Sequence, residues 1–233
     1  MQYVSFRGIT SADMGLLVVD MPNHQRAQMR HTEYEIPGRN GSLHVNEGYA
    51  AFDMTVIFGL FNQGDIQQKR AEIDAWLSGT GKLFSSDNPD HAWDAAVLQA
   101  VVYDRQEYYG RYYDTITVRF RCQPVMHETT PTYQTFTSAG SFSGMGTVDA
   151  LPKLIIRGVD DCTVTINGTT IYLSMMVSGF PVIIDCEAGY IHAEQSGTTM
   201  TGEFPILYHD KTNTISMGGG TASVQIQFNW GWI

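Results

Sequence analysis

The sequence predicts a mainly β protein of two domains with a single long α-helix. Glycine (23), tyrosine (12) and phenylalanine (11) are frequent and lysine is rare, a composition that favours strands and turns over a helical bundle. In several segments apolar residues recur at every second position, which is the spacing of strands with one buried face. Only one long segment shows the spacing of an amphipathic helix. At 233 residues, the chain is long enough for two domains that each bury a core.

Short strands and a sharp turn are predicted for the start of the first domain. Residues 3–6 and 16–19 have the composition of short strands, and 26–36 has a polar strand pattern that places Tyr34 and Ile36 on one face. One proline and two glycines within five residues then predict a tight turn or shaped loop. This loop consists of Pro37, Gly38, Arg39, Asn40 and Gly41.

The clearest strand is followed directly by the helix. Over residues 52–60, five apolar side chains alternate with other residues, so one face of this strand is predicted to be buried. The helix is predicted over about 65–78, with Asp65 as its N-cap and Gly79 as its stop. Its apolar face is formed by Ile66, Ile73, Trp76 and Leu77.

A tyrosine-rich segment lies between two predicted strands in the rest of the first domain. Residues 97–103 are apolar on both faces, which predicts a central strand, and 116–122 alternate like a half-buried strand. The intervening residues 105–113 have the composition of a hairpin tip. Exposed tyrosines on such a tip often mark a contact surface. They are Tyr108, Tyr109, Tyr112 and Tyr113.

Prolines at 124 and 131, followed by Thr-, Ser- and Gly-rich sequence, place a domain boundary near residue 128. The second domain, 129–233, is predicted to be wholly β, and part of 133–142 is a candidate for its first strand.

Asn167-Gly168 between two alternating runs is a strong hairpin signal. Asp160-Asp161 and Gly218–Gly220 are predicted to form turns. The remaining strands are predicted at 154–157, 162–166, 171–173, 182–185, 190–193, 204–207, 214–217 and 222–228, a spacing typical of a sandwich or jelly roll.

Charge and cysteine usage exclude several classes of protein. The formal net charge of −10 disfavours nucleic-acid binding. No apolar run is long enough for a membrane-spanning helix, and the first residues do not have the pattern of a signal peptide. Three cysteines cannot all pair within one chain, so buried thiols are favoured, although a Cys162–Cys186 disulfide remains open.

No catalytic, cofactor-binding or metal-binding residues are predicted. No two of the seven histidines have the i, i+4 spacing of a helical metal site, and neither a nucleophile elbow nor a phosphate-binding loop occurs. Neither Asp160-Asp161 nor the Glu33 and Glu35 pair indicates a glycosidase. Exposed tryptophans at 230 and 232 would suit sugar stacking, but such residues more often pack the terminal strand or an interface.

The order of short motifs resembles the distal tail protein family of bacteriophages with long, non-contractile tails. In the first half these motifs are Phe6 and Gly8, Gly15-Leu16, Pro37-Gly38-Arg39-Asn40-Gly41, Ala75-Trp76-Leu77, Gly81-Lys82-Leu83, Ser86-Asp87-Asn88-Pro89-Asp90 and Phe120-Arg121-Cys122-Gln123-Pro124. In the second half they are Leu151-Pro152, Ile156-Arg157-Gly158, Thr165-Ile166-Asn167-Gly168 and Ile183-Ile184-Asp185.

This resemblance implies a structural virion protein of the phage tail tip, or baseplate, and not an enzyme. It implies that residues 1–128, a β-sandwich with one helix, form a hexameric ring, and that 129–233 form a galectin-like, jelly-roll β-sandwich. The ring of the family joins the tail tube protein to the tail-tip protein that carries the fibre or lysin, and in many phages to a receptor-binding protein. DNA passes through its channel, and host adsorption depends on the assembly. No cofactor is implied.

The same resemblance makes the two exposed segments candidates for contacts between subunits or with partners. These are Pro37 to Gly41 and the four tyrosines of 108–113, with Arg39 as a residue able to reach a carboxylate of a neighbouring subunit. A carbohydrate-binding module that contacts the host surface is the alternative function, and a cell-wall hydrolase is a further one.

Overall fold

A computed structural model describes residues 2–21, 26–61, 65–108, 111–195 and 197–233, without the side chains of 108, 111 and 112. The chain divides into two compact units, Met1–Thr129 together with Ile233, and Thr130–Trp232. Within the described residues both units consist mainly of strands, and there is one helix, in unit 1. The mainly β class with a single long helix is therefore confirmed. No described helix is long and apolar enough to cross a membrane.

Unit 1 is built on one antiparallel sheet. Its elements are β1 (Val4–Phe6), β2 (Ile9–Thr10), β3 (Leu17–Asp20), β4 (Met29–Glu35), β5 (Ser42–Tyr49), β6 (Phe52–Phe61), α1 (Ile66–Trp76), β7 (Gly79–Ser85), β8 (His91–Val97), β9 (Val102–Tyr108) and β10 (Arg111–Glu128). The strand order is β2-β1-β7-β8-β10-β6-β3, and β9 also pairs with β10. The strands β4 and β5 form a separate two-stranded sheet.

The predicted alternation of β6 is confirmed and explains the core of unit 1. Val56 lies opposite Val118 of β10, and Phe58 lies opposite Ile116. All four side chains are fully buried, because period-two spacing on both strands puts their apolar residues on the same face.

Helix α1 packs its predicted apolar face against this sheet. Asp65 caps it by accepting hydrogen bonds from the backbone N–H groups of Gln67 and Gln68, which have no partner within the helix. The Trp76 indole N–H donates to the Phe6 carbonyl oxygen at 2.9 Å. This buried polar contact fixes the end of the helix against β1.

The predicted central strand over 97–103 is wrong. Strand β8 ends at Val97 and β9 begins at Val102, and the intervening Leu98 is 73% exposed. Residues 98–101 form a link because β8 and β9 pair with different stretches of the same partner: β8 with residues 120–128 of β10, and β9 with residues 111–117.

Unit 2 is built around one bent strand. Its elements are β11 (Tyr133–Phe136), β12 (Gly140–Ser143), β13 (Lys153–Ile166), β14 (Thr169–Met176), β15 (Val182–Asp185), β16 (Tyr190–Ala193), β17 (Thr199–Gly202), β18 (Thr212–Gln227) and β19 (Gly231–Trp232). The first half of β13 pairs with β15 and with the end of β18. Its second half pairs with β14 and the start of β18. A strand that bends at a bulge in this way can supply both layers of one core.

Two predicted turns of unit 2 are wrong because they are bulges inside long strands. Asp160-Asp161 lies within β13, and Gly218–Gly220 lies within β18 opposite it. A Cβ on Gly220 would collide with the carbonyl oxygen of Val159, and the backbone of Gly219 has a φ of 62°. Glycine is therefore required for the two backbones to approach each other, not for flexibility.

Other features of unit 2 follow the sequence more closely. Asn167-Gly168 forms the predicted turn between β13 and β14, with positive φ at both residues. The predicted strand at 204–207 is wrong: Leu207 forms only an isolated bridge with Ala150, and Pro205 has no N–H for a strand ladder.

Candidate inter-subunit surface

The strands β4 and β5 form an exposed hairpin, called here the arm and defined as residues 29–49. Among the described strands they hydrogen-bond only to each other, and nearly every side chain on both is exposed or only partly buried. The register pairs Thr32 with Val45 and Tyr34 with Leu43. An isolated two-stranded hairpin is marginally stable in water, so the arm is a segment that gains from being covered.

The two faces of the arm differ in chemistry. One face carries Tyr34, Leu43 and Val45, whose side chains are 53%, 43% and 43% exposed. The other carries His31, Glu33 and His44. Among the described residues, these three apolar side chains of the first face are exposed together, which is typical of an interaction site.

The predicted loop Pro37 to Gly41 is the turn at the tip of the arm. Gly38 and Gly41 have φ values of 84° and 81°, which explains the two glycines. Arg39 is exposed, its backbone N–H donates to the Ile36 carbonyl oxygen at 3.1 Å, and its guanidinium forms no ion pair with another described residue. Together with Asn40 it places polar groups at the end of the arm.

Strands β9 and β10, which contain the described residues of the tyrosine-rich segment 105–113, pair antiparallel with each other. The backbones of residues 108 and 111 are paired. Tyr109 lies outside the described residues, and for Tyr108 and Tyr112 only the backbone is described. Tyr113 is partly buried, and its ring stacks on Phe61 at a centroid distance of 6.0 Å. Its aromatic face is thus used at least in part within the subunit.

A buried ion pair at the base of this hairpin was not predicted from the sequence. Asp114 of β10 is 2% exposed, and its Oδ2 accepts hydrogen bonds from Arg70 Nε and Nη2 at 2.9 and 2.6 Å. Arg70 also lies over the Tyr103 ring, at 5.2 Å from its centroid. The pair therefore links α1 to both strands of the β9–β10 hairpin.

Tyr103 completes this link between hairpin and helix. Its hydroxyl donates to Asp74 Oδ1 at 2.6 Å. Burial of the ring, this hydrogen bond and the Asp74 charge all raise the pKa of Tyr103 well above its ordinary value of 10. Sequence reasoning missed the network because its members are distant in the chain, and an acidic residue in an alternating strand is normally placed on the exposed face.

The terminal tryptophans do not form an open sugar-stacking platform. Trp230 is 2% exposed and stacks on Phe228 at 5.4 Å, and Trp232 is partly buried against the core of unit 2. They pack against the core of unit 2. This removes the observation on which the carbohydrate-binding alternative rested.

All three cysteines are free and buried, so the disulfide left open by the sequence is absent. Burial raises the pKa of the Cys122 and Cys186 thiols to about 12. Thiols that stay protonated at neutral pH are poor nucleophiles, and they have the character of core side chains.

Two clusters of metal-ligating side chains occur within the described residues: His31, Glu33 and His44 on the arm, and Asp149, His209 and Asp210 in unit 2. The sequence search missed them because it tested helical spacing. Here strand register brings Glu33 next to His44, 11 positions away. Loop geometry brings Asp149 next to His209, 60 positions away.

Comparison with known proteins gives a match to one protein family and matches to solved structures. Residues 8–122 match the family described as phage tail protein RIFT-related domain. The sequence has no match among curated proteins.

Solved structures of phage tail components share the fold of this chain. The crystal structure of the SPP1 Dit (gp 19.1) protein, described as a paradigm of the hub adsorption apparatus in phages that infect Gram-positive bacteria, aligns with a TM-score of 0.76 at 11% identity. That alignment covers 97% of this chain and 98% of the other. A chain of the phage P2 baseplate, in its activated conformation with Ca, aligns with a TM-score of 0.50 at 10% identity, covering 97% and 96%.

Proposed function

We propose that the chain is the distal tail hub protein of a phage with a long, non-contractile tail, since residues 8–122 match the phage tail protein RIFT-related domain family. Six copies form a ring at the end of the tail tube through residues 1–128. Residues 129–233 form the galectin-like domain. The observation that carries the proposal is the arm, whose apolar side chains Tyr34, Leu43 and Val45 are exposed in the part of the chain that the structure describes.

A second copy of the chain is the occupant that the arm fits best. In a ring, one surface of each subunit meets a different surface of the next, so an extended hairpin lies naturally against its neighbour. The arm tip brings the Arg39 guanidinium, and the chain as a whole carries a formal charge of −10. A carboxylate on the neighbouring subunit is thus the expected partner of Arg39. Tyr108, Tyr109, Tyr112 and Tyr113 remain proposed contact residues.

The hub role gives the remaining partners. The ring joins the tail tube protein to the tail-tip protein that carries a fibre or lysin. In the virion it also binds a receptor-binding protein. The chain is a structural component, for which we expect no catalytic activity. DNA passes through the ring during ejection. A negatively charged lumen would repel the phosphate backbone, so we expect weak or absent DNA binding even at low salt.

The energy that the arm contributes can be worked out from its exposure. Burying a whole large apolar side chain contributes about 1.5–3 kcal/mol. Tyr34 still has 53% of its surface to bury, so its loss costs about 0.8–1.6 kcal/mol per interface. This corresponds to an association constant that is about 4- to 15-fold lower.

Tyr34→Thr tests the proposal, because threonine keeps the β propensity of the strand while it removes the ring. Tyr172→Thr is the matched control, since Tyr172 is also a strand residue and is also 53% exposed. We expect Tyr34→Thr to shift the dissociation of the ring to higher protein concentration in mass photometry, and Tyr172→Thr to leave it unchanged. Equal behaviour of the two variants would show that the arm does not carry the contact.

A further inference from the structure

One face of the arm brings two imidazoles and one carboxylate together. Glu33 Oε1 lies 3.5 Å from His31 Nε2 and 3.3 Å from His44 Nδ1. The two imidazole rings are 5.7 Å apart between centroids. All three ligand atoms lie within 4.8 Å of one another. The cluster results from strand register, because His44 is the cross-strand partner of Glu33 and His31 precedes Glu33 by two residues on the same face.

These distances suit a tetrahedral metal ion. Zinc binds histidine nitrogen and carboxylate oxygen at about 2.0–2.2 Å, so two ligand atoms of a tetrahedron lie about 3.3 Å apart. Both contacts of Glu33 already have this separation to within a few tenths of an ångström. The two imidazole nitrogens lie within 4.8 Å of each other, so the histidine side chains have to bring them to about 3.3 Å for a single tetrahedral ion to bind all three groups.

The Ser42 hydroxyl lies beside the His44 ring, where it can orient the imidazole for metal binding. Its Nε2 lies 3.3 Å from the Ser42 hydroxyl oxygen while its Nδ1 faces Glu33. A proton held on Nε2 by Ser42 leaves the Nδ1 lone pair directed at the centre of the cluster. Partners of this kind fix the tautomer and orientation of metal-binding histidines.

We propose that His31, Glu33 and His44 form a surface site for a divalent transition metal of the zinc, cobalt and nickel class. Two imidazoles and one carboxylate form a donor set that suits these ions, whereas calcium and magnesium prefer oxygen ligands alone. A water molecule completes the coordination. Because the three ligands come from both strands, the bound ion clamps β4 to β5 and slows the opening of the arm. The site does not depend on ring formation.

Protons compete with the metal for the same three groups. With both imidazoles protonated, Glu33 can accept a hydrogen bond from each, and the same geometry would then hold without an ion. A metal site therefore binds its ion more weakly at lower pH, because the imidazoles must be deprotonated to act as ligands.

The test uses the untagged full-length chain after chelation and dialysis, titrated with CoCl₂ at pH 7.5. Cobalt in a tetrahedral nitrogen and oxygen environment gives visible absorption, which reports geometry as well as binding. We expect saturation at one ion per chain. The variants His44→Asn and Glu33→Gln should each bind cobalt at least tenfold more weakly, because removing a ligand does at least as much harm as removing an outer partner.

His209→Asn is the matched control, because it removes the histidine of the other cluster in unit 2. We expect this variant to keep both the absorption and the affinity. As a second readout, ZnCl₂ should slow amide exchange in peptides that cover the arm and leave unit 2 unchanged. The proposal is overturned if cobalt produces no saturable visible absorption, if His44→Asn binds as tightly as the parent chain, or if His209→Asn abolishes the signal.

Discussion

The buried pair between Asp114 and Arg70 gives the sharpest prediction for the stability of unit 1. The substitution Asp114→Asn keeps the shape of the side chain and removes its charge. The two hydrogen bonds from Arg70, at 2.6 and 2.9 Å, then have at most a neutral amide oxygen as acceptor in place of a charged carboxylate oxygen. It also leaves the guanidinium of Arg70 between α1 and β10 without its counter-ion.

The structure sets the magnitude of this effect. Breaking a fully buried ion pair costs about 3–5 kcal/mol. Asp114 is 2% exposed but Arg70 is 24% exposed, so water partly solvates the remaining guanidinium. We therefore expect a loss of about 2–3 kcal/mol in the free energy of unfolding of unit 1. Asp53→Asn is the control, because Asp53 pairs with Arg121 through side chains that are 41% and 45% exposed, and such an exposed pair contributes about 0–1 kcal/mol.

Amide exchange followed by mass spectrometry is the suitable assay, since it reports each unit separately. A loss of 2–3 kcal/mol accelerates exchange through opening of α1 and β10 about 30- to 150-fold. Peptides from β13 and β14 in unit 2 serve as an internal reference and should not change. If Asp114→Asn exchanges no faster than Asp53→Asn, the pair does not anchor the helix and the reasoning fails.

Three further predictions concern unit 2 and the thiols. Gly220→Ala should lower the unfolding midpoint of unit 2 far more than Gly168→Ala, because only at Gly220 does the new Cβ meet backbone; equal effects in urea unfolding would contradict the close approach of β13 and β18. Cys122 and Cys186 should resist alkylation at pH 8 until the chain unfolds, given thiol pKa values raised by burial to about 12; rapid labelling of the folded chain would contradict their burial. Partial burial raises the pKa of Asp149, but hydrogen bonds from His209 outweigh this effect and hold the pKa below its usual 3.8. The stability that Asp149 contributes is therefore complete above about pH 4 and is lost as the pH falls through the lower folded-state pKa. Asp149→Asn should make the free energy of unfolding differ less between pH 5 and pH 3 than it does in the parent chain. An unchanged difference would refute this.

Sequence periodicity predicted the elements whose pattern is local. The strand over 52–60, the helix with its Asp65 cap and the Asn167-Gly168 hairpin all follow from spacing and turn chemistry within about fifteen residues. The helix face was also correct, since Ile73 and Trp76 are both buried.

The errors arose where the outcome depends on a distant strand. Gly218–Gly220 has the composition of a turn, and only the bulge of β13 opposite it makes glycine a requirement within a strand. The burial of Asp114 depends on Arg70, 44 positions earlier in the chain. Neither pairing leaves a local signal.

The same reasoning explains what could and could not be predicted of the candidate surface. The turn from Pro37 to Gly41 was visible because its residue types are specific for turns. The isolation of the arm was not visible, because Tyr34, Leu43 and Val45 alternate just as they would in a half-buried strand. The metal-ligating face was missed because His31 and His44 meet only through the register of β4 and β5.

The most direct test of the account is the solution mass of the purified chain, measured by light scattering after gel filtration and paired with negative-stain images of the peak. If neighbouring copies cover the arm in a closed ring, six chains of 25.9 kDa give a particle of about 155 kDa with a central hole. A monomer of about 26 kDa whose arm exchanges its amides freely at the same concentration would contradict the claim that a second copy of the chain is the partner of the arm.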